Sequence, residues 1–206
     1  SRIFFMSGAE SLTNPFDSSR LPDRIDGKLE NGLAICCAFD RHGVYLACGC
    51  NDGRVVIWDY LTRAVARSMV AHAAAVTSVS WSRSSRRMLT SSYDWEVKVW
   101  NVLNGTVLRS VRLDAPVMLA QINPRGTSFV ACAANGVPIH VDVKTGKQTN
   151  VPYKPEGEPE DVTLPPTALA LNKKGDLIYC GNSKGLMVIV SNKTLQIVNS
   201  FKLSSN

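Results

Sequence analysis

The sequence predicts an all-β chain built as successive blades of a β-propeller, on three observations. Leu33 to Asp59 (LAICCAFDRHGVYLACGCNDGRVVIWD) reads as three short strands with two turns, the second at Asn51-Asp52-Gly53. The same pattern returns at Ala75 to Asn101 (AVTSVSWSRSSRRMLTSSYDWEVKVWN). Trp58 and Trp100, each near the end of its segment, stand 42 residues apart. A period of roughly 40–45 residues ending in a Trp-Asp-like pair marks the blade of a WD-repeat propeller.

Composition agrees with a globular chain: 206 residues, 45% hydrophobic and 19% charged. No apolar run reaches the roughly 18–20 residues a membrane-spanning helix needs, so no membrane partner is expected. Ile3-Phe4-Phe5-Met6 is too short for the core of a signal peptide. The six cysteines (36, 37, 48, 50, 132 and 180) form no C-x-x-C pair and keep no zinc-like spacing from His42, His72 or His140. They read as reduced core residues of an intracellular protein, with no metal and no cofactor implied. The net charge of +6 permits an acidic partner.

Residues 1–32 are polar, are broken by Pro15, Pro22, Gly8, Gly27 and Gly32, and read as an N-terminal arm. Repeat one covers about 33–72. In its third strand Val55 and Ile57 point to one face, Val56 and Trp58 to the other. Apolar residues on both faces fit a blade sandwiched between neighbours. Val65 to Val70 follows as the outer fourth strand. Repeat two (75–114) is the most complete. Repeat three (116–151) is degenerate, with strands at Val117–Ile122, Ser128–Ala133 and Pro138–Val143, a turn at Asn135-Gly136, and Ile139-His140-Val141-Asp142 in place of the Trp-Asp segment. His140 reads as a packed strand residue. An acidic, Pro-rich insertion (152–166) cannot join a ladder. Repeat four (167–201) carries strands at 169–171, 177–180, 186–190 and 196–201, with Val190 at the Trp position.

Repeat two holds the residues of an internal polar network: His72 before the blade, a hydroxyl on its second strand, Asp94 in the turn and Trp100 on the third strand. Thr90 is assigned as the hydroxyl, with Ser92 the alternative. Such a buried network is stable only when every member has a partner. Asp52 and Trp58 hold the matching places in repeat one. His72 with Asp94 resembles a catalytic dyad, yet no nucleophile motif accompanies them and the repeat explains both.

Four blades and an arm account for the whole chain, whereas WD-repeat propellers commonly close with more blades. The reading adopted is the N-terminal part of a larger, seven-bladed ring, with the arm supplying the strand that closes it; a small four-bladed ring is the alternative.

With these segments laid out, the chain resembles the retinoblastoma-binding protein 5 family, the WD-repeat subunits of COMPASS (SET1/MLL) histone methyltransferase complexes. The resembling stretches are Asn14-Pro15-Phe16, Pro22-Asp23, Leu29-Glu30-Asn31-Gly32 and Phe39-Asp40-Arg41-His42-Gly43. Leu46 to Arg54 and Val56 to Arg63 follow, then Ser80-Trp81-Ser82, Ala115-Pro116-Val117 and Gly181-Asn182-Ser183-Lys184-Gly185. A generic repeat would share only the turn Asp and the Trp-Asp, so the near-continuous run from Gly49 to Arg63 is the telling one.

The resemblance implies a non-catalytic scaffold that helps a SET-domain subunit methylate lysine 4 of histone H3 on nucleosomes, in the nucleus. It implies as partners the SET-domain methyltransferase, a SPRY-domain subunit and a second WD-repeat subunit, whose binding segments in the family lie beyond the propeller. The competing classes are a WD-repeat scaffold of another nuclear assembly, such as RNA processing, and a truncated inactive fragment. Direct nucleic-acid binding would rest on Arg83, Arg86 and Arg87 in one loop, with Arg63, Arg67, Arg109 and Arg112 nearby in the repeats, and would weaken steeply with salt. An enzyme is disfavoured, because no G-x-S-x-G, H-E-x-x-H, P-loop or Rossmann fingerprint is present.

Overall fold

Runs of β-branched and small residues between Gly- and Asn-bearing turns leave the chain one regular choice, the antiparallel meander. The computed structural model describes residues 3–6, 25–153 and 165–202. Strands β1 (Ile3–Met6) and β2 (Ile25–Leu29) pair antiparallel within the arm. Blade one contains β3 (Ala34–Phe39), β4 (Tyr45–Cys50), β5 (Arg54–Asp59) and β6 (Ala64–Val70). Blade two contains β7 (Val76–Trp81), β8 (Arg87–Ser92), β9 (Glu96–Asn101) and β10 (Thr106–Arg112). Blade three contains β11 (Val117–Ile122), β12 (Ser128–Ala133), β13 (Pro138–Asp142) and a short β14 (Gln148–Asn150). Blade four contains β15 (Ala168–Leu171), β16 (Leu177–Gly181), β17 (Leu186–Ser191) and β18 (Ile197–Lys202). Among the described residues these are four four-stranded sheets, each in simple sequential order. The bulk of the arm and of the acidic insertion lies outside the described residues.

The double-faced apolar strand does what its pattern demands. Val55 and Ile57 pack with Val76, Met88 and Trp100 of blade two, while Val56 and Trp58 pack on the opposite face with Leu29, Leu46, Cys48 and Cys50. Blade two repeats the arrangement, turning Leu89, Val97 and Val99 toward Val117, Phe129 and Ala131 of blade three. Each blade interior is thus split between two layers of core. Burying a Val or Leu side chain contributes about 1.5–3 kcal/mol, so neighbouring blades are the main source of each blade's stability.

Two close approaches fix the spacing. A Cβ on Gly49 would lie 2.5 Å from Val76 Cγ1 and 2.6 Å from Cys36 Sγ, so only glycine lets blade two close onto β4. Gly53, at φ +83°, ends the β4–β5 turn, and a Cβ there would sit 2.1 Å from the His72 carbonyl oxygen.

Polar seams join the blades as well. The Thr77 hydroxyl donates to the Val117 carbonyl (2.8 Å), and the amides of Ala120 and Ile122 donate to Ser78 Oγ (3.0 Å) and Ser80 Oγ (3.2 Å). Hydroxyls on β7 therefore satisfy the unpaired edge of β11, a duty usually left to water or another strand. Outer strands add arginine clasps: Arg67 Nη2 donates to the Leu103 carbonyl (2.9 Å), and Arg109 donates to those of Val143 (2.9 Å) and Lys144 (2.6 Å).

Candidate functional site

The polar cluster of blade two is assembled from four places. His72 precedes β7, Thr90 lies on β8, Asp94 in the β8–β9 turn and Trp100 on β9. His72 Nε2 is 2.8 Å from Thr90 Oγ1, Trp100 Nε1 donates to that same oxygen at 2.9 Å, and His72 Nδ1 is 2.9 Å from Asp94 Oδ2. One proton arrangement satisfies all of them. Trp100 N–H donates to Thr90, Thr90 O–H donates to His72 Nε2, and His72 Nδ1–H donates to Asp94.

The electrostatics agree with a neutral ring. Burial holds the His72 pKa below its ordinary 6.5, against the pull of Asp94. For Asp94, burial acts to raise the pKa, but amide donors from Glu96 and Ala73 together with His72 outweigh it and hold the carboxyl below its usual value. Ser92, the other hydroxyl weighed from sequence, is engaged elsewhere, donating to the Ala74 carbonyl (3.0 Å) and accepting from the Asp94 amide (3.1 Å).

His72, Asp94 and Glu96 lie close enough together to suggest a metal site, with ligand atoms within 4.8 Å of one another. Both His72 nitrogens are already committed, and Glu96 pairs with Lys98 at 2.9 Å. The cluster is chemically saturated as it stands.

Asp52 and Trp58 do not form a second copy of the network. Cys48 stands where Thr90 stands in blade two, Glu30 where His72 stands, and neither offers the same relay. Asp52 turns instead to Arg54, accepting from its amide (3.1 Å) and its Nε (2.7 Å), and this pairing holds the carboxyl low. Trp58 is buried against Leu46 and Val56. His140 is half-buried on β13, where burial depresses its pKa against the opposing effect of Asp142.

The three arginines of the β7–β8 region separate. Arg83 and Arg86 have exposed side chains. Arg87 is half-buried and donates through Nη1 to the Gly126 carbonyl of blade three at 2.6 Å. Arg67 and Arg109 are likewise engaged in their blade-to-blade clasps, and Arg112 lies over the Trp95 ring at 5.4 Å. Sequence reading missed these structural duties because each carbonyl partner lies in the next blade, 34 to 39 residues away.

Comparison with known proteins follows the fold. A family model described as "Nucleolar protein 10-like, N-terminal domain" matches residues 17–149, and the chain is a member of that β-propeller family. The "Retinoblastoma-binding protein 5 homolog" of Drosophila melanogaster is 35% identical over 88% of this chain and 36% of its own length. The crystal structure of the Myceliophthora thermophila Cps50 (Swd1) β-propeller domain superposes with a TM-score of 0.81 at 34% identity, over 88% of this chain and 59% of that one. The chain belongs to the retinoblastoma-binding protein 5 family. A further family member, "Set1 complex component swd1" of Schizosaccharomyces pombe, is 32% identical over 94% of this chain and 51% of its own length. The chain thus spans about a third to a half of these curated relatives. Its four blades correspond to part of the ring of a retinoblastoma-binding protein 5 propeller.

Proposed function

We propose that the chain is a non-catalytic scaffold of a COMPASS-type (Set1) histone H3 lysine 4 methyltransferase complex, working on chromatin in the nucleus. The observation that carries this reading is the match to Swd1-type proteins: a 34% identical propeller with a TM-score of 0.81, beside a relative named as a Set1 complex component. The saturated His72–Thr90–Asp94–Trp100 cluster supports a structural rather than catalytic use of the chain's best-placed titratable groups. The partners proposed are the SET-domain methyltransferase, the SPRY-domain subunit and a second WD-repeat subunit, with the nucleosome as the common substrate.

The arm is assigned the ring-closing role. Leu29, at the end of β2, packs on the face of blade one that points away from blade two, with Leu46, Val56 and Trp58. In a complete ring that face meets the last blade.

Affinity purification of the tagged endogenous protein from nuclear extract tests the function. Recovery of a SET-domain methyltransferase with a SPRY-domain protein supports it. The second reading, a scaffold for RNA processing, is favoured by the nucleolar description of the matching family model. Recovery of pre-ribosomal proteins without a SET-domain subunit would select that reading instead.

A further inference from the structure

The four loops that join the first and second strands of each blade form one hydrogen-bonded rim. Ser85 Oγ of blade two donates to Asp40 of blade one (2.8 Å), the Arg83 amide donates to the Pro124 carbonyl of blade three (2.8 Å), and Asn123 Nδ2 donates to the Gly175 carbonyl of blade four (2.9 Å). This rim carries exposed Arg41, Arg83, Arg86, Arg125, Lys173 and Lys174. Its carboxylates are Asp40 and Asp176. Asp40 is buried and accepts from the amides of Val44 and Tyr45 as well as Ser85, while Asp176 is bonded to Asn172. Asp176 is also drawn electrostatically to Lys174, while Arg41, Arg83, Arg86, Arg125 and Lys173 face solvent with no carboxylate ion pair among the described residues.

Inside the rim lies a cleft of about 410 Å³, walled by Phe39, Val79, Trp81 and Pro124 and edged by Arg41, Arg83 and Lys173. Trp81 is held as a wall by its Nε1 bond to the Ala38 carbonyl (3.0 Å). Four blades contribute to it. We infer that this cleft binds an acidic peptide segment of a partner protein, one apolar side chain entering between Phe39 and Trp81 while flanking carboxylates meet Arg41, Arg83 and Lys173.

The shape favours peptide over nucleic acid. The cations surround a depression instead of following a stripe, so a duplex would meet few of them at once. Single strands are held by bases stacked on successive aromatic faces, whereas here Phe39 and Trp81 wall one cleft of about 410 Å³.

The probe is a short fluorescein-labelled peptide of Glu and Asp around a single Leu, titrated into the full chain and followed by anisotropy and Trp fluorescence. Saturable binding that weakens with salt is expected. Arg83→Glu with Lys173→Glu should lower affinity at least tenfold, on the order seen when charges across an interface are reversed. Arg41→Ala, a gentler change on an exposed side chain, should also weaken it. Replacing the peptide's Leu with Gly should cost about tenfold, the loss of one buried apolar side chain. Lys184→Glu, in the β16–β17 turn, should change nothing. Absence of peptide binding, equal binding by the reversed-charge chain at an unchanged melting temperature, or binding of oligo-dT or a DNA duplex in preference to the peptide would each overturn the inference.

Discussion

Thr90 is a small residue with two simultaneous duties: it accepts from the Trp100 indole and donates to His72. Thr90→Val keeps the shape and removes both bonds, leaving buried groups unpartnered at about 1–3 kcal/mol each. Urea titration should show a lower midpoint for this variant, and an unchanged midpoint would contradict the relay. The same relay gives stability a pH dependence. The unfolded chain protonates His72 near pH 6.5 whereas the folded chain resists it, so the ring's contribution is complete above that value and declines as pH falls below it. His140, also held low by burial, adds to this limb, and Asp94 adds a second loss below about pH 4, where its unfolded carboxyl takes up a proton. The melting temperature should therefore fall between about pH 7.5 and 5.5, and His72→Gln should flatten much of that fall. Which residues form the network was legible from the repeat alone. Which blade lacks it was not, because Cys48 in place of a hydroxyl matters only once Trp58 is seen packed against Leu46 and Val56.

At the level of the strand and its neighbours, the close packing at Gly49 makes a sharp prediction. Gly49→Ala sets a methyl against Val76 and Cys36 and should destabilise by about 1–3 kcal/mol through overpacking. Chemical denaturation is the measurement; a neutral result would mean blade two can shift. The clasp of Arg109 supplies a second test. Arg109→Ala should cost about 1 kcal/mol, and Arg109→Lys should recover little, because one ammonium cannot reproduce a planar fork that reaches two carbonyls. Strand positions were largely legible because most turns are punctuated by Gly, Asn, Asp or Ser and the blade cores are rich in β-branched residues. The departures are physical. Bulges at Ala34/Cys36, Val76/Ser78 and Val117/Leu119 fall at the same place in three blades, with no glycine or proline among the bulged residues to signal them. The three hydroxyls of β7 read as ordinary solvent-facing strand residues until β11 is seen beside them.

For the whole molecule, stability is distributed through blade-to-blade layers, and the cysteines are distributed with it. Cys48, Cys50, Cys132 and Cys180 are buried, Cys36 is half-buried, and Cys37 alone is exposed, a departure from the expectation that all serve as core residues. Burial lifts Cys36 to about 11, and Cys48 and Cys180 to about 12, so these thiols stay protonated and unreactive at neutral pH. The native chain should therefore react readily with one equivalent of maleimide, and the denatured chain with all six cysteines, as counted by intact mass. Because the shielded thiols sit in blades one, three and four, the order in which they react under mild conditions is a clock for local opening. Mapping the modified cysteines over time would reveal whether the blades yield one by one or all together, with no probe beyond the protein's own sulfur.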